Sequence, residues 1–209
     1  MGLTVHWELK APANANPAET LNKIAVFAKT LSTAEVSEVK HFEGDQANFN
    51  KCSTNDPDRW LKIQATKYSA KSGRDIPKEI YALSIWPGEG CEEMNIGLAK
   101  YPYSKSWTWR SFCKTQYADE FVKCHLSVIT ILDFCKHLGI VKEVHDEGDY
   151  WETRDIKVLA GNINESTTMI QGLCSALRNA IDGQGKIESP IDNSQNYILN
   201  QLTRKAERC

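Results

Sequence analysis

The chain has 209 residues, of which 41% are hydrophobic and 25% charged, and these values are typical of one globular domain with a substantial core. Its formal net charge of -2 provides no overall positive field to attract nucleic acid. The opening MGLTVHWELK lacks the pattern of a signal peptide, and no apolar run approaches the roughly 18 residues of a membrane span. We therefore expect a cytoplasmic protein without a membrane partner.

The first predicted elements are a strand and a helix. TVHWELK alternates between apolar and polar residues, which predicts a half-buried strand with Val5, Trp7 and Leu9 on its inner face. Asn16 then predicts a helix N-cap, because Pro17 follows at the first helical position and Glu19 at the third. EVSEVKHFEG predicts the second strand of the chain.

A polar segment at about residues 44–77 interrupts this pattern. We interpret it as an insertion, in which WLKIQA could form a short strand. Beyond it, IYALSIW and MNIGLAKY predict two strands joined by PGEGCEE, and WTWRSFCKTQY predicts another.

The remainder of the chain is predicted to be mainly helical. FVKCHLSVITILDFCKHLG has the spacing of an apolar helical face and stops at Gly139, and IVKEVHD is the last predicted strand. Asp155 is expected to cap a long helix that ends at Gly183. A polar tail covers about residues 184–209.

This βαββαβ skeleton with additional strands predicts a single α+β domain over residues 1–209. We expect a ferredoxin-like, antiparallel-dominated sheet with helices on one face, plus the long C-terminal helix. The other face must then be solvated, covered by the insertion, or used for binding.

The chemical motifs of common cofactor enzymes are absent from the sequence. The seven cysteines form no CxxC pair, which argues against a zinc site or a disulfide framework and favours a reducing compartment. There is no dinucleotide fingerprint, P-loop, HExxH or GxSxG motif, so we expect no cofactor.

The loop PGEGCEE is the first of three candidate blocks. Glu89 could act as a base and Cys91 as a nucleophile, although the neighbouring acids would raise the pKa of the thiol. Glycine and proline clusters more often mark a turn, which is the structural alternative for this block.

The second block runs from Tyr101 to His125 and alternates basic with aromatic residues. On one strand face it predicts an anion-binding or base-stacking surface. The predicted ligand-binding residues are His6, Arg110, Lys114, Gln116 and Tyr117. Cys113 and His125 are catalytic candidates, but a solvated sheet face and a histidine at the core edge explain the same pattern.

The third block is HDEGDYWETRD, which contains five carboxylates. Asp146, Glu147 and Asp149 are the candidates for a cation site, although their spacing does not match a calcium loop. A strand–helix junction is the structural alternative. In either case Arg154 could order the loop by bidentate pairing or contact a ligand.

Taken together, PGEGCE, FCKTQYA, CHLSV and DEGDYWETRD resemble the pattern of a family of uncharacterised bacterial hypothetical proteins. The resemblance runs from about Trp86 to Ile181. It implies that the blocks belong together, but it supplies no activity and no catalytic residue.

The sequence leaves two main functions open. The first is binding of a small anionic or peptide ligand on the polar sheet face. The second is a hydrolytic or group-transfer enzyme, with Glu89 or Glu147 as base, His125 as its partner and Arg110 as anion stabiliser. In this enzyme Cys91 and Cys113 are alternative nucleophiles. Single-stranded nucleic-acid binding is a third reading, opposed by the overall charge, and nothing indicates the oligomeric state.

Overall fold

The structure is a computed structural model that describes residues 3–32, 34–69, 73–118 and 120–180. Its elements in the first half of the chain are β1 (Thr4–Pro12), α1 (Pro17–Ala28), β2 (Glu35–Val36), β3 (Lys40–Glu43), a 3₁₀ helix (Gly44–Ala47), α2 (Arg59–Ala65), β4 (Lys67–Ser69) and β5 (Gly73–Asp75). Those that follow are β6 (Glu79–Trp86), β7 (Met94–Lys100), β8 (Ser106–Lys114), α3 (Phe121–His137), β9 (Val141–Asp146), α4 (Tyr150–Thr153) and α5 (Ile156–Ala180).

The main sheet has seven strands in the order β2-β6-β7-β8-β1-β9, with β3 also paired to β6. Each of its strand pairs is antiparallel, and β4 and β5 form a separate two-stranded hairpin. The predicted α+β class with an antiparallel sheet is therefore confirmed.

The core lies between the sheet and the helices α1 and α3. The alternation predicted for β1 is confirmed, because its inner face is fully buried at Val5, Trp7, Leu9 and Ala11. The predicted start of α1 is confirmed as well, since Asn16 Oδ1 accepts a hydrogen bond of 3.1 Å from the Glu19 backbone N–H. This cap satisfies one of the amide groups that a helix start leaves unpaired.

Two local predictions were wrong. WLKIQA lies within the helix α2 rather than in a strand, because Leu61, Lys62 and Ala65 are buried together on one helical side. So short a run of mixed apolar and polar residues fits both the 3.6-residue period of a helix and the two-residue period of a strand. Tertiary packing decides which of the two forms. EVSEVKHFEG also forms two short strands, β2 and β3, which both pair with β6.

Helix α2 covers part of the second face of the sheet. It contacts β6, β7 and β8, whereas α1 contacts β6 and β7. Six of the seven residues of β7 are buried, which requires cover on both faces. The outward side chains of β1, β9 and residues 110–112 of β8 lack this cover, and His6, Arg110, Phe112, Glu143 and His145 are exposed.

The C-terminal half of the third block ends in a helix cap, as predicted. Asp155 Oδ1 accepts a hydrogen bond of 2.8 Å from the Lys157 backbone N–H at the start of α5.

The expected stop at Gly183 and the polar tail at about residues 184–209 lie outside the described residues. In the described ranges, no helix is both long enough and apolar enough to cross a bilayer.

Gly97 in β7 generates a test of this packing. A Cβ atom at Gly97 would lie 2.6 Å from the Trp109 ring, whereas one at Gly161 in α5 would meet no atom within 4 Å. We expect Gly97→Ala to lower the free energy of unfolding by about 1–3 kcal/mol through overpacking. The control Gly161→Ala should be neutral or add up to roughly 1 kcal/mol, because alanine favours the helix. Urea denaturation measures both, and equal stability of the two variants would contradict the packing described here.

Candidate functional site

A groove of about 660 Å³ lies over the open face of β1, β8 and β9. Its floor includes His6, Glu8, Arg110, Phe112, Glu143 and His145. Its wall comes from the end of α2 and from β4, and consists of Ile63, Gln64, Thr66, Lys67 and Tyr68. We call this cavity the groove.

Cross-strand register brings the floor residues together. His6 is the direct partner of Phe112 on one side and of His145 on the other, and Glu8 is the partner of Arg110 and Glu143. Because side chains alternate along a strand, these two rows point to the same side of the sheet. One row is aromatic and the adjacent row is charged.

Glu8 organises the charged row. Its Oε2 accepts a hydrogen bond of 2.8 Å from Arg110 Nη2, and its Oε1 accepts one of 2.9 Å from Lys142 Nζ. Burial alone raises the pKa of Glu8, but these two cations outweigh it and hold the pKa below the ordinary value. The Glu8 carboxylate is thus ionised, and both of its oxygens are paired with cations. The Arg110 side chain nevertheless remains 76% exposed.

A further cation comes from the wall. Lys67 Nζ donates a hydrogen bond of 2.8 Å to Thr108 Oγ1 and lies 4.1 Å from the centre of the Tyr101 ring. Partial burial lowers the pKa of Lys67 from its ordinary value. Among the residues that line the groove, Lys67 and Arg110 thus accompany the two carboxylates of the charged row, Glu8 and Glu143.

The aromatic row has three rings in sequence across three strands. The His6 and Phe112 ring centres lie 5.8 Å apart, and those of His6 and His145 lie 6.1 Å apart in a stacked arrangement. His6 Nε2 also lies 3.8 Å from Oε1 of Glu147, which follows β9 and lies beside the row. The row is accessible, since Phe112 is 39% exposed.

Behind the sheet lies a buried polar network around His125. Its Nε2 lies 3.2 Å from Asp146 Oδ2, and its Nδ1 lies 2.9 Å from Thr115 Oγ1. The side chains of His125 and Asp146 are both completely buried. Since an ionised carboxylate only accepts hydrogen bonds, Nε2 carries a proton in this contact.

Asp146 also collects backbone donors from the following loop. Its Oδ1 accepts from the Gly148 N–H at 2.8 Å, and its Oδ2 accepts from the N–H groups of Tyr150 and Trp151, each at 3.0 Å. Burial alone raises the pKa of Asp146, but His125 and these amides overcome it, so the pKa is lowered. Asp146 therefore holds the β9–α4 junction as an ionised group.

The structure distributes the predicted ligand-binding residues over several places. His6 and Arg110 line the groove. Lys114 instead lies near Tyr117, with its Nζ 5.0 Å from the ring centre. The prediction that Gln116 shares the face of Arg110 was wrong, because β8 ends at Lys114 and Gln116 is buried, where its Oε1 accepts a hydrogen bond of 3.1 Å from the Leu3 N–H.

The bidentate pairing predicted for Arg154 is confirmed, but its partner lies on α3. Arg154 Nη1 and Nη2 donate hydrogen bonds of 2.7 and 2.8 Å to the two carboxylate oxygens of Asp133. The guanidinium carbon also lies 4.6 Å from the centre of the Trp151 ring. Arg154 thus ties the β9–α5 connection to α3 and is not among the residues that line the groove.

Among the candidate catalytic residues, the thiols of Cys91 and Cys113 lie near each other, within electrostatic reach. Glu89 is exposed in the loop before β7, and the pKa of Cys91 is raised, first by its hydrogen bond with Cys124 and then by burial. Cys113 is fully buried, which raises its pKa, and its Sγ donates to the Glu92 carbonyl at 3.2 Å. These thiols are poor nucleophiles, because the thiolate is the reactive form.

The carboxylates proposed for a cation site are separately engaged. Glu147 Oε2 accepts a hydrogen bond of 2.9 Å from the Thr4 N–H, and Asp149 Oδ2 accepts one of 3.0 Å from Asn162 Nδ2. Asp146 is held in the buried network. Within the part of the chain that the structure describes, no three His, Cys, Asp or Glu side chains are grouped to hold a metal ion.

Sequence reasoning missed most of the residues that line the groove, among them Glu8, Lys67, Tyr68, Glu143 and His145. The alternation in β1 was the available signal for Glu8, which follows His6 on the same face. The position of Lys67 had no such signal, because it belongs to the insertion that folds onto the sheet.

Comparisons of the chain with protein-family models, with curated proteins and with solved structures found no match.

The lowered pKa of Asp146 has a consequence for stability in acid. A carboxyl group with a lowered pKa in the folded state stabilises the protein above its unfolded pKa, and this contribution is lost as the pH falls through the folded pKa. We expect Asp146→Asn to lower the free energy of unfolding near pH 7 by about 3 kcal/mol, because the buried carboxylate makes four hydrogen bonds that an amide side chain cannot all accept. The variant should then lose less further stability on acidification than the wild type.

Urea unfolding between pH 7 and pH 3 measures this difference. Asp149→Asn is the matched control, since it removes an exposed carboxylate from the same loop. If Asp146→Asn and the wild type lost stability in parallel as the pH fell, Asp146 would not be the ionised junction described above.

Proposed function

We propose that this protein binds a small anionic ligand in the groove and does not catalyse a reaction there. The observation that carries the proposal is the charged row, where Arg110 pairs with Glu8, lies beside Lys67 in the groove lining and keeps its side chain 76% exposed. A carboxylate or phosphate at this point would meet the exposed guanidinium of Arg110, which can form charge-assisted hydrogen bonds.

The dimensions of the groove support the same proposal. Ligand sites for small molecules typically have volumes of roughly 300–1,000 Å³ and combine apolar walls with a few polar groups. The groove has about 660 Å³, with Ile63, Tyr68 and Phe112 as its apolar parts. A short acidic peptide would use the same cations, and a binding panel that includes such a peptide separates the two ligands.

The enzyme alternative receives less support from the geometry. His125 is completely buried, and both of its ring nitrogens lie at hydrogen-bonding distance from Thr115 and Asp146. A general base must reach the proton that it abstracts from a substrate. His125 is therefore better explained as a positioning residue for the fold than as a base in the groove.

We infer a ferredoxin-like core formed by β1, α1, β7, β8, α3 and β9, with the remaining strands as additions. The strand order β9-β1-β8-β7 supports this inference, as do the contacts between α1 and α3. A cytoplasmic location and membership of the family of uncharacterised bacterial proteins stay predictions.

Removal of the Arg110 charge tests the proposed function. We expect Arg110→Gln to weaken binding of a small carboxylate by on the order of 10-fold or more, because a hydrogen bond to a charged group is lost. Arg154→Gln is the matched control, since it removes an arginine that also pairs with a carboxylate but lies outside the groove lining.

Chemical-shift titration of the protein with trans-cinnamate and with inorganic phosphate provides the measurement. The proposal fails if the wild type binds neither anion. It also fails if Arg110→Gln and Arg154→Gln bind with the same affinity.

A further inference from the structure

We propose that the ligand of the groove is an aryl carboxylate, whose planar ring stacks on the aromatic row while its carboxylate pairs with Arg110. This inference rests on the proposed function and narrows it to one chemical class. It depends on the aromatic row, whereas the proposed function depends on the charged row.

The aromatic row is a line of three neighbouring exposed rings, whose planes are inclined to one another by 38° and 24°. Phe112, His6 and His145 occupy three adjacent strands in direct register, with neighbouring ring centres 5.8 and 6.1 Å apart. Aromatic side chains that remain open to solvent on a sheet face offer their π-surfaces to a ligand ring, which they bind by offset stacking. The groove lies directly over these rings.

The opposite wall of the groove also favours a ring. Tyr68 is 66% exposed, and with Ile63 it borders the same cavity as the aromatic row. A planar ligand between this wall and the row would remove apolar surface from water on both of its faces. A purely inorganic anion would leave these apolar surfaces exposed.

The strand register sets the distance between ring and charge. Phe112 follows Arg110 by two positions on β8, and His6 precedes Glu8 by two positions on β1. Two strand residues span about 6.7 Å, since each residue rises roughly 3.3–3.4 Å. The ligand should therefore carry its carboxylate a few bonds from the ring, as trans-cinnamate does.

A matched pair of probes tests the ring specifically. 3-Cyclohexylpropanoate has the charge and nearly the length of trans-cinnamate but has no aromatic face. We expect the wild type to bind trans-cinnamate about 5-fold or more tightly than 3-cyclohexylpropanoate, which corresponds to the stacking of one to two aromatic pairs. Isothermal titration calorimetry at constant pH measures both affinities.

Variants of the aromatic row then locate the effect. Phe112→Leu keeps an apolar side chain and should reduce the preference for trans-cinnamate by at least about 2-fold. His6→Gln should do the same and serves as the second variant if Phe112→Leu does not fold. Tyr103→Leu is the control, because Tyr103 is fully exposed and does not line the groove.

The outcomes separate this inference from the proposed function. If the wild type binds both probes equally and Arg110→Gln weakens both, the anion site stands and the aryl carboxylate is excluded. Row variants that keep the full preference would also overturn the inference. If neither probe binds but inorganic phosphate does, the anion site stands and the aryl carboxylate is excluded. If phosphate does not bind either, the proposed function fails together with the inference.

Discussion

The contact between His125 and Asp146 is the interaction on which the arrangement of the site depends. It joins α3 to the last residue of β9, and Thr115 and the loop amides extend it to the end of β8 and the start of α4. Both side chains are completely buried and have lost their hydrogen bonds to water. The hydrogen bond between them offsets part of this desolvation cost. Once Asp146 points inward, the alternation of β9 requires His145 to point outward.

The open face follows from this orientation and from the path of the insertion. Helix α2 covers the sheet over β6 to β8, and its C-terminal end with β4 forms a wall beside the uncovered strands. A floor with one charged and one aromatic row, next to a wall of mixed polar and apolar side chains, then arises without any dedicated binding loop. The network behind the sheet and the groove in front of it both use β9, but they have different roles: Asp146 holds the junction that follows the strand, and His145 faces the groove.

The acidic segment HDEGDYWETRD shows how a concentration of charge can be structural. Asp146 collects backbone amides, Asp155 caps α5, and Asp149 begins α4 with a left-handed backbone at φ 56°. Arg154 also has a positive φ, of 55°, which is uncommon for a residue other than glycine. Its bidentate pair with Asp133 holds this conformation, so the segment is explained by the junction that it builds.

The sequence by itself determined the periodic features of this protein. These features are local, and each can be predicted from residues that are close together in the sequence. They are the alternation of β1, the Asn16 and Asp155 caps, and the apolar face of α3. The tertiary structure alone decided which distant residues meet. His6 and His145 become neighbours only through strand pairing, Lys67 arrives with a folded insertion, and Gln116 is buried because β8 ends two residues earlier. Local periodicity reports which face a side chain takes, whereas the partner on that face depends on pairing between segments far apart in the chain.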